Sequence, residues 1–185
     1  MKKDHQQRPL SREDRIWRIA LLCCHTVRNA AYFEAHSKRV KQLMPDAEYW
    51  QTVDNNFLDM CVLEWTKLFG EWNGQHHWRQ VIEDRDTFWK GLLKELVMKK
   101  PEFDQFRESV VEYRDRFVAH LDEDTTMNIP LLAPIRESTF YLYSYLFEYE
   151  KTALDAPILP GSIEGYEKLC RLTAEKIYTN RMDDK

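Results

Sequence analysis

In the segment EYRDRFVAHLDED, residues 112–124, an arginine, an acid and a histidine stand close together: Arg114, Asp115 and His120. The residue types suit chemistry on a phosphate. A guanidinium is permanently charged and forked to meet phosphate oxygens, and an imidazole exchanges its proton near neutral pH. On a regular helix, six positions separate Arg114 from His120 by ~9 Å along the axis and about 120° in direction, so the two do not easily meet within one chain. Val111 and Val118, three before and four after Arg114, place the guanidinium on a second, partly apolar stripe beside the core face. That is the pattern of a helix with two neighbours. If the second neighbour is another copy related by a two-fold axis, Arg114 and His120 of both copies gather in one cleft, and the spacing favours a homodimer. The residues taken alone also allow a plainer reading. Arg114 then pairs with Asp115 or another acid, and His120 is a helix-end histidine stabilised by the dipole. Arg116 and His120, at i and i+4, share a surface patch with Glu112.

Two further binding candidates lie at the end of the glycine-containing segment EWNGQHHW and just after it, Trp78 and Arg79. Aromatic and guanidinium planes stack on unpaired RNA bases, although a tryptophan in this position equally closes a core. His76 and His77 are adjacent, do not share a helix face and have no acid or cysteine at a ligand-like spacing. No His-Glu-x-x-His, Glu-x-x-His pair, Gly-x-Gly-x-x-Gly or Walker loop occurs, so the expectation is no metal and no cofactor. The series Tyr141, Tyr145 and Tyr149 reads as core packing or dimer contact.

The elements that carry these residues are helices. Ser11 and Asp14 form a capping-box pattern, with Ile16, Ala20, Cys23, Val27 and Ala30 following at helical spacing, and this first helix ends before Pro45. A second opens near Asp46 with Val53, Phe57, Cys61, Trp65 and Leu68 on one face, and Gly70 suits a left-handed C-terminal cap. A third spans about Arg85–Lys99 through Phe88, Leu92, Leu93 and Leu96. Pro101 starts the fourth, whose stripe is Phe103, Phe106, Val110, Tyr113, Phe117 and Leu121. Pro130 and Pro134 bracket the entry to a fifth, STFYLYSYLFEYEKT, apolar nearly all round and therefore central or shared with a partner. A sixth runs from about Ile163 to Tyr178. No repeat or linker divides residues 1–185, so the reading is a single all-α, up-and-down bundle over 11–180 behind a polar leader at 1–10.

Composition agrees. The 185-residue chain is 43% hydrophobic but has only 5 glycines, where average usage gives roughly 13, which disfavours turn-rich sheets and glycine-lined nucleotide cradles. The net charge of −4 makes nonspecific adhesion to nucleic acid or membrane unexpected. The sign is nevertheless uneven: residues 1–45 carry ten Lys and Arg against four acids, and residues 46–185 carry 17 against 27. Arg8, Arg12, Arg15 and Arg18 lie along the first helix, where they either track a phosphate backbone or form a solvated face. Cys23, Cys24, Cys61 and Cys170 have no framework spacing and read as reduced thiols of a cytoplasmic protein. The N-terminus lacks the apolar run of a signal peptide, and no segment has the length of a membrane span.

At Arg114, Asp115 and His120 the chain resembles the HEPN superfamily, whose signature is an arginine, a polar residue directly after it, and a histidine with four to six residues between. Together with VLEWTKLFG (62–70), HWR (77–79), EFDQF (102–106) and YRDRFVAHLD (113–122), the pattern is similar to the AbiU-like branch of phage abortive-infection proteins over most of residues 12–150. The resemblance implies a helical bundle that dimerises around the Arg/His helix and, for many members, a metal-independent endoribonuclease acting as a toxin or antiphage effector. In that role the ribose 2′-hydroxyl is the nucleophile and His120 moves a proton at it or at the leaving oxygen. Arg114 holds the phosphate as negative charge develops, and Asp115 orients one of these groups or polarises the nucleophile. The implied partners are a second copy, RNA, and an antitoxin or nucleotidyltransferase. One branch is silenced by nucleotide transfer to a tyrosine in His-x-Tyr; here Leu121 and Asp122 follow His120, which does not support that mode. A HEPN domain that binds RNA, nucleotide or protein without catalysis is the alternative.

Overall fold

The first helix opens on the cap its sequence encodes. Ser11 Oγ accepts the Asp14 N–H at 3.0 Å and Asp14 Oδ2 accepts the Ser11 N–H at 3.4 Å, satisfying two of the donors a helix start leaves over. The computed structural model describes residues 10–37, 47–118, 128–150, 154 and 158–183. Within them, α1 (Arg12–Ser37) buries Ile16, Ala20, Cys23, Val27 and Ala30, the stripe read from spacing. The second helix, α2 (Ala47–Trp65), does not end in a left-handed glycine: no described glycine has positive φ. It widens instead into a π turn, Thr66–Gly70, closed by the Glu71 N–H on the Thr66 carbonyl at 2.9 Å. Gly70 eases a close approach, since a Cβ there would lie 3.0 Å from Val111 Cγ2.

After the loop and a short 3₁₀ turn, Trp78–Gln80, α3 (Arg85–Glu95) starts at Asp84, whose carboxylate accepts the Thr87 N–H. It stops short of Lys99 in a Schellman arrangement, with the Met98 N–H on the Leu93 carbonyl and the Val97 N–H on the Lys94 carbonyl. The left-handed position in that motif is Val97, φ 52°. Pro101 sits in the first turn of α4 (Lys100–Tyr113), and a second π turn, Arg114–Val118, continues it. The fifth helix, α5 (Leu132–Tyr149), begins six residues before Ser138, because Pro134 falls in the first turn, where a missing N–H costs no intrahelical bond. The last, α6 (Ile163–Asp183), continues beyond Tyr178.

The result is an all-α helical bundle of six helices, with no strand among the described residues. α1 packs against α2, α5 and α6, and α3 lies on α5, while α4 rests on the π turn that follows α2. α5 is central, burying Leu132, Ile135, Ser138, Thr139, Leu142, Tyr143 and Leu146. Trp65, fully buried, joins these layers: its ring stacks on Phe69 at 5.3 Å and meets the edge of Phe106 at 5.4 Å. Its indole N–H donates to Ser138 Oγ at 2.9 Å. Among the described residues no helix is long and apolar enough to cross a membrane.

The end of α3 carries a local conflict. A β-branched residue in the left-handed region costs about 1–2 kcal/mol, and Val97 is 90% exposed, with little packing to offset it. Val97→Gly should therefore stabilise the protein by about 1 kcal/mol after glycine's own entropic cost. Thermal melts should show a Tm higher by roughly 2–4 °C.

Candidate functional site

The close approach at Gly70 brings the loop after α2 against α4 and the second π turn, and the charged residues of both meet there. Arg107, on α4, donates from Nη1 to the Gly70 carbonyl at 3.4 Å. One residue on, Glu71 Oε1 accepts from Arg114 Nη1 at 2.7 Å. The other side of the Arg114 fork faces Asp115, whose Oδ1 lies 2.8 Å from both Nε and Nη2. The Arg114 side chain is only 18% exposed against 47% for Glu71 and 55% for Asp115, so a covered guanidinium is held by two wetter carboxylates. Arg114 and Asp115 thus lie together as one candidate set, with Glu71 added to it.

His120 lies outside the described residues, as does Leu121. Arg116 Nη1 lies 3.4 Å from Glu112 Oε1. Both line a cleft of ≈ 140 Å³ with Ser109, Tyr113, Phe117 and Asn128. Behind it the Tyr113 hydroxyl donates to Asp59 Oδ1 at 3.1 Å. Burial raises the Asp59 carboxyl and the Tyr113 hydroxyl in pKa.

Trp78 and Arg79 stay in contact, the guanidinium 5.2 Å from the Trp78 ring centroid, but the fold gives them different surroundings. Trp78 is 1% exposed and packs on Phe88 at 4.6 Å and Trp89 at 6.0 Å. Its ring is part of the core and offers no face to a base. The Arg79 guanidinium lies over the half-buried Trp72, 4.1 Å from the ring centroid, with that of Arg107 at 5.1 Å. His77, fully buried, has its ring 5.3 Å from Trp72. Nδ1 accepts the Arg79 N–H at 3.3 Å, while Nε2 lies near the Phe69 carbonyl without hydrogen-bond geometry to any described group. Burial, with Arg79, Arg107 and Arg85 nearby, pushes its pKa down to about 4. His76 is lowered as well, by burial and then by Arg18, Lys67 and Arg15, which places three more cations beside the loop. Arg12 is taken out of the expected phosphate track by Glu150, at 2.5 and 3.0 Å, and by the Val81 carbonyl at 2.8 Å. Arg8 lies outside the described residues.

Glu71, Trp72 and Arg107 are not singled out by the sequence, and His77 is weighed there only as a metal ligand and as part of the 77–79 motif. Arg107 had a signal: it precedes Arg114 by seven residues, two helical turns on the same face. Glu71 and Trp72 had none, since only the fold brings their loop to α4. The four cysteines are free and buried, and burial raises Cys24 to about 11. No group of three or more His, Cys, Asp or Glu placed to hold a metal ion occurs among the described residues. The chain matches no protein-family model, and neither the curated proteins nor the solved structures yield a match.

His77 makes stability pH-dependent. Its folded pKa lies below the ordinary 6.5, so below pH 6.5 the unfolded chain binds the extra proton first. Stability is then lost as pH falls from 6.5 towards 4, by up to about 3 kcal/mol from this group. Denaturant melts at pH 7 and pH 4.5 should show a smaller difference for His77→Gln than for wild type.

Proposed function

We propose that the protein is a metal-independent endoribonuclease of HEPN type, an antiphage or toxin effector, that works as a homodimer with Arg114, Asp115 and His120 as its site. The observation that supports this most is the state of Arg114, mostly covered and fixed from two sides by Asp115 and Glu71. A guanidinium held in place costs no reorganisation when negative charge develops on a phosphate in front of it. Asp115, bound to Nε and Nη2, is the orienting group for Arg114. His120 is the proton-transfer group: it takes the proton of the 2′-hydroxyl, or returns one to the departing 5′-oxygen, which leaves a 2′,3′-cyclic phosphate and a 5′-hydroxyl.

A specific observation also favours the non-catalytic alternative. Glu71 and Asp115 already occupy the fork of Arg114, and the three side chains sum to −1, which repels phosphate at long range. In a binding module these ion pairs are the whole role of Arg114. The two readings differ in what the Arg114 and His120 variants do. Purified protein in excess chelator, given mixed single-stranded and structured RNA, should produce cyclic-phosphate ends. Arg114→Ala and His120→Ala should each slow this by about 10²–10⁴-fold with folding and dimerisation retained. Absence of cleavage by all three proteins would select the binding module.

A further inference from the structure

The Arg114 set needs an attractive partner for phosphate, and the neighbouring loop has one. Among the described residues no carboxylate lies within ion-pair distance of Arg15, Arg18 or Arg79, and Arg107 has only the exposed Glu108, at 3.7 Å. The Nε atoms of Arg79 and Arg107 are buried without a hydrogen-bond partner. Burying a guanidinium N–H without an acceptor is costly, and so is gathering cations without counter-charge. Beside them stands His77, fully buried with its ring 5.3 Å from that of Trp72, where an acid would have neutralised the cluster. Trp72 fixes the geometry: both guanidiniums lie over its ring, and Arg107 is further held by Nη1 on the Gly70 carbonyl at 3.4 Å.

We infer that Arg79 and Arg107, spaced by Trp72 and joined by Arg15 and Arg18 of α1, seat a backbone phosphate of an RNA strand at a position separate from the Arg114 centre. The assignment of RNA rests on the function proposed above; the preference for a phosphate rests on Arg79, Arg15 and Arg18, which have no acid within ion-pair distance among the described residues, and on the unpartnered Nε atoms of Arg79 and Arg107. It gives the first helix's positive charge a role for Arg15 and Arg18. Arg15 reaches this loop through Gln80, 3.5 Å from its Nη1. Trp72 acts as a spacer, its ring being covered by guanidinium.

The test is equilibrium binding of a short 2′-O-methyl oligoribonucleotide, which lacks the attacking hydroxyl, across a salt series. Arg79→Gln and Arg107→Gln should each weaken binding and reduce the slope of log affinity against log salt by about 0.7. Arg79→Lys and Arg107→Lys, which keep the charge, should retain the slope, and so should Lys168→Gln on α6. Unchanged slopes in both glutamine variants would overturn the inference even if Arg114-dependent cleavage were found. Loss of slope in both, in a protein that never cleaves RNA, would keep the site and reject the nuclease. Tight binding of inorganic phosphate together with no affinity for the oligoribonucleotide would overturn the RNA assignment.

Discussion

At Gly70 the end of α2 and the flank of α4 run close together, with Val111 Cγ2 3.0 Å from where a Cβ would stand. The candidate site depends on this approach. It lets Arg107 reach the Gly70 carbonyl and Glu71 reach Arg114, so two elements distant in sequence share one set of charges. The helix before Gly70 and the helix before Arg114 each end in a π turn, a feature that recurs at functional sites because one extra residue re-aims side chains without breaking the helix. Trp65 and Phe69 support the first from within the core, stacked on each other and in contact with Phe103 of α4.

Charge is sorted around this contact. Arg12 is tied to Glu150 at the end of α5, and Arg136 of α5 and Arg171 of α6 are both tied to Glu34 of α1, struts between elements, while Arg171 also pairs with Glu167 within α6. Arg114 is tied twice. Arg79, Arg15 and Arg18 have no such acid among the described residues, and they lie around the 71–80 loop. A chain of net charge −4 thus gathers, among its described residues, cations without an acid in ion-pair distance around this loop. His77 fits this division, since a histidine kept neutral by burial adds no charge to an arginine cluster that has no counter-ion.

Much of the fold was legible because amphipathic spacing reports burial directly: Ile16 to Ala30, Cys61 and Trp65, and Phe103, Val110 and Tyr113 are buried as their periods indicate. Boundaries were less legible where local chemistry has two solutions. Gly70 reads as a left-handed cap, yet it serves a tertiary approach that leaves no local trace. Val97 occupies a left-handed position with a residue that argues against one. At the site, Arg114 with Asp115 was visible in sequence because neighbours in the chain meet at a helix end, and Arg107 was visible in principle at seven residues' distance. Glu71 and Trp72 belong to a loop whose position is set by packing alone. Trp78 followed the ordinary rule that a large ring beside a helix start is buried.

The proposed function rests on a homodimer that gathers Arg114 and His120 of both copies in one cleft, so that Arg114 of one copy can act with His120 of the other. The direct measurement is mixing: Arg114→Ala and His120→Ala proteins, each inactive alone, are unfolded together, refolded and assayed for RNA cleavage in chelator. A site shared between two copies predicts recovery of about a quarter of wild-type activity, because half of the dimers are mixed and each mixed dimer has one intact site. No recovery in a mixture that demonstrably contains mixed dimers would contradict it.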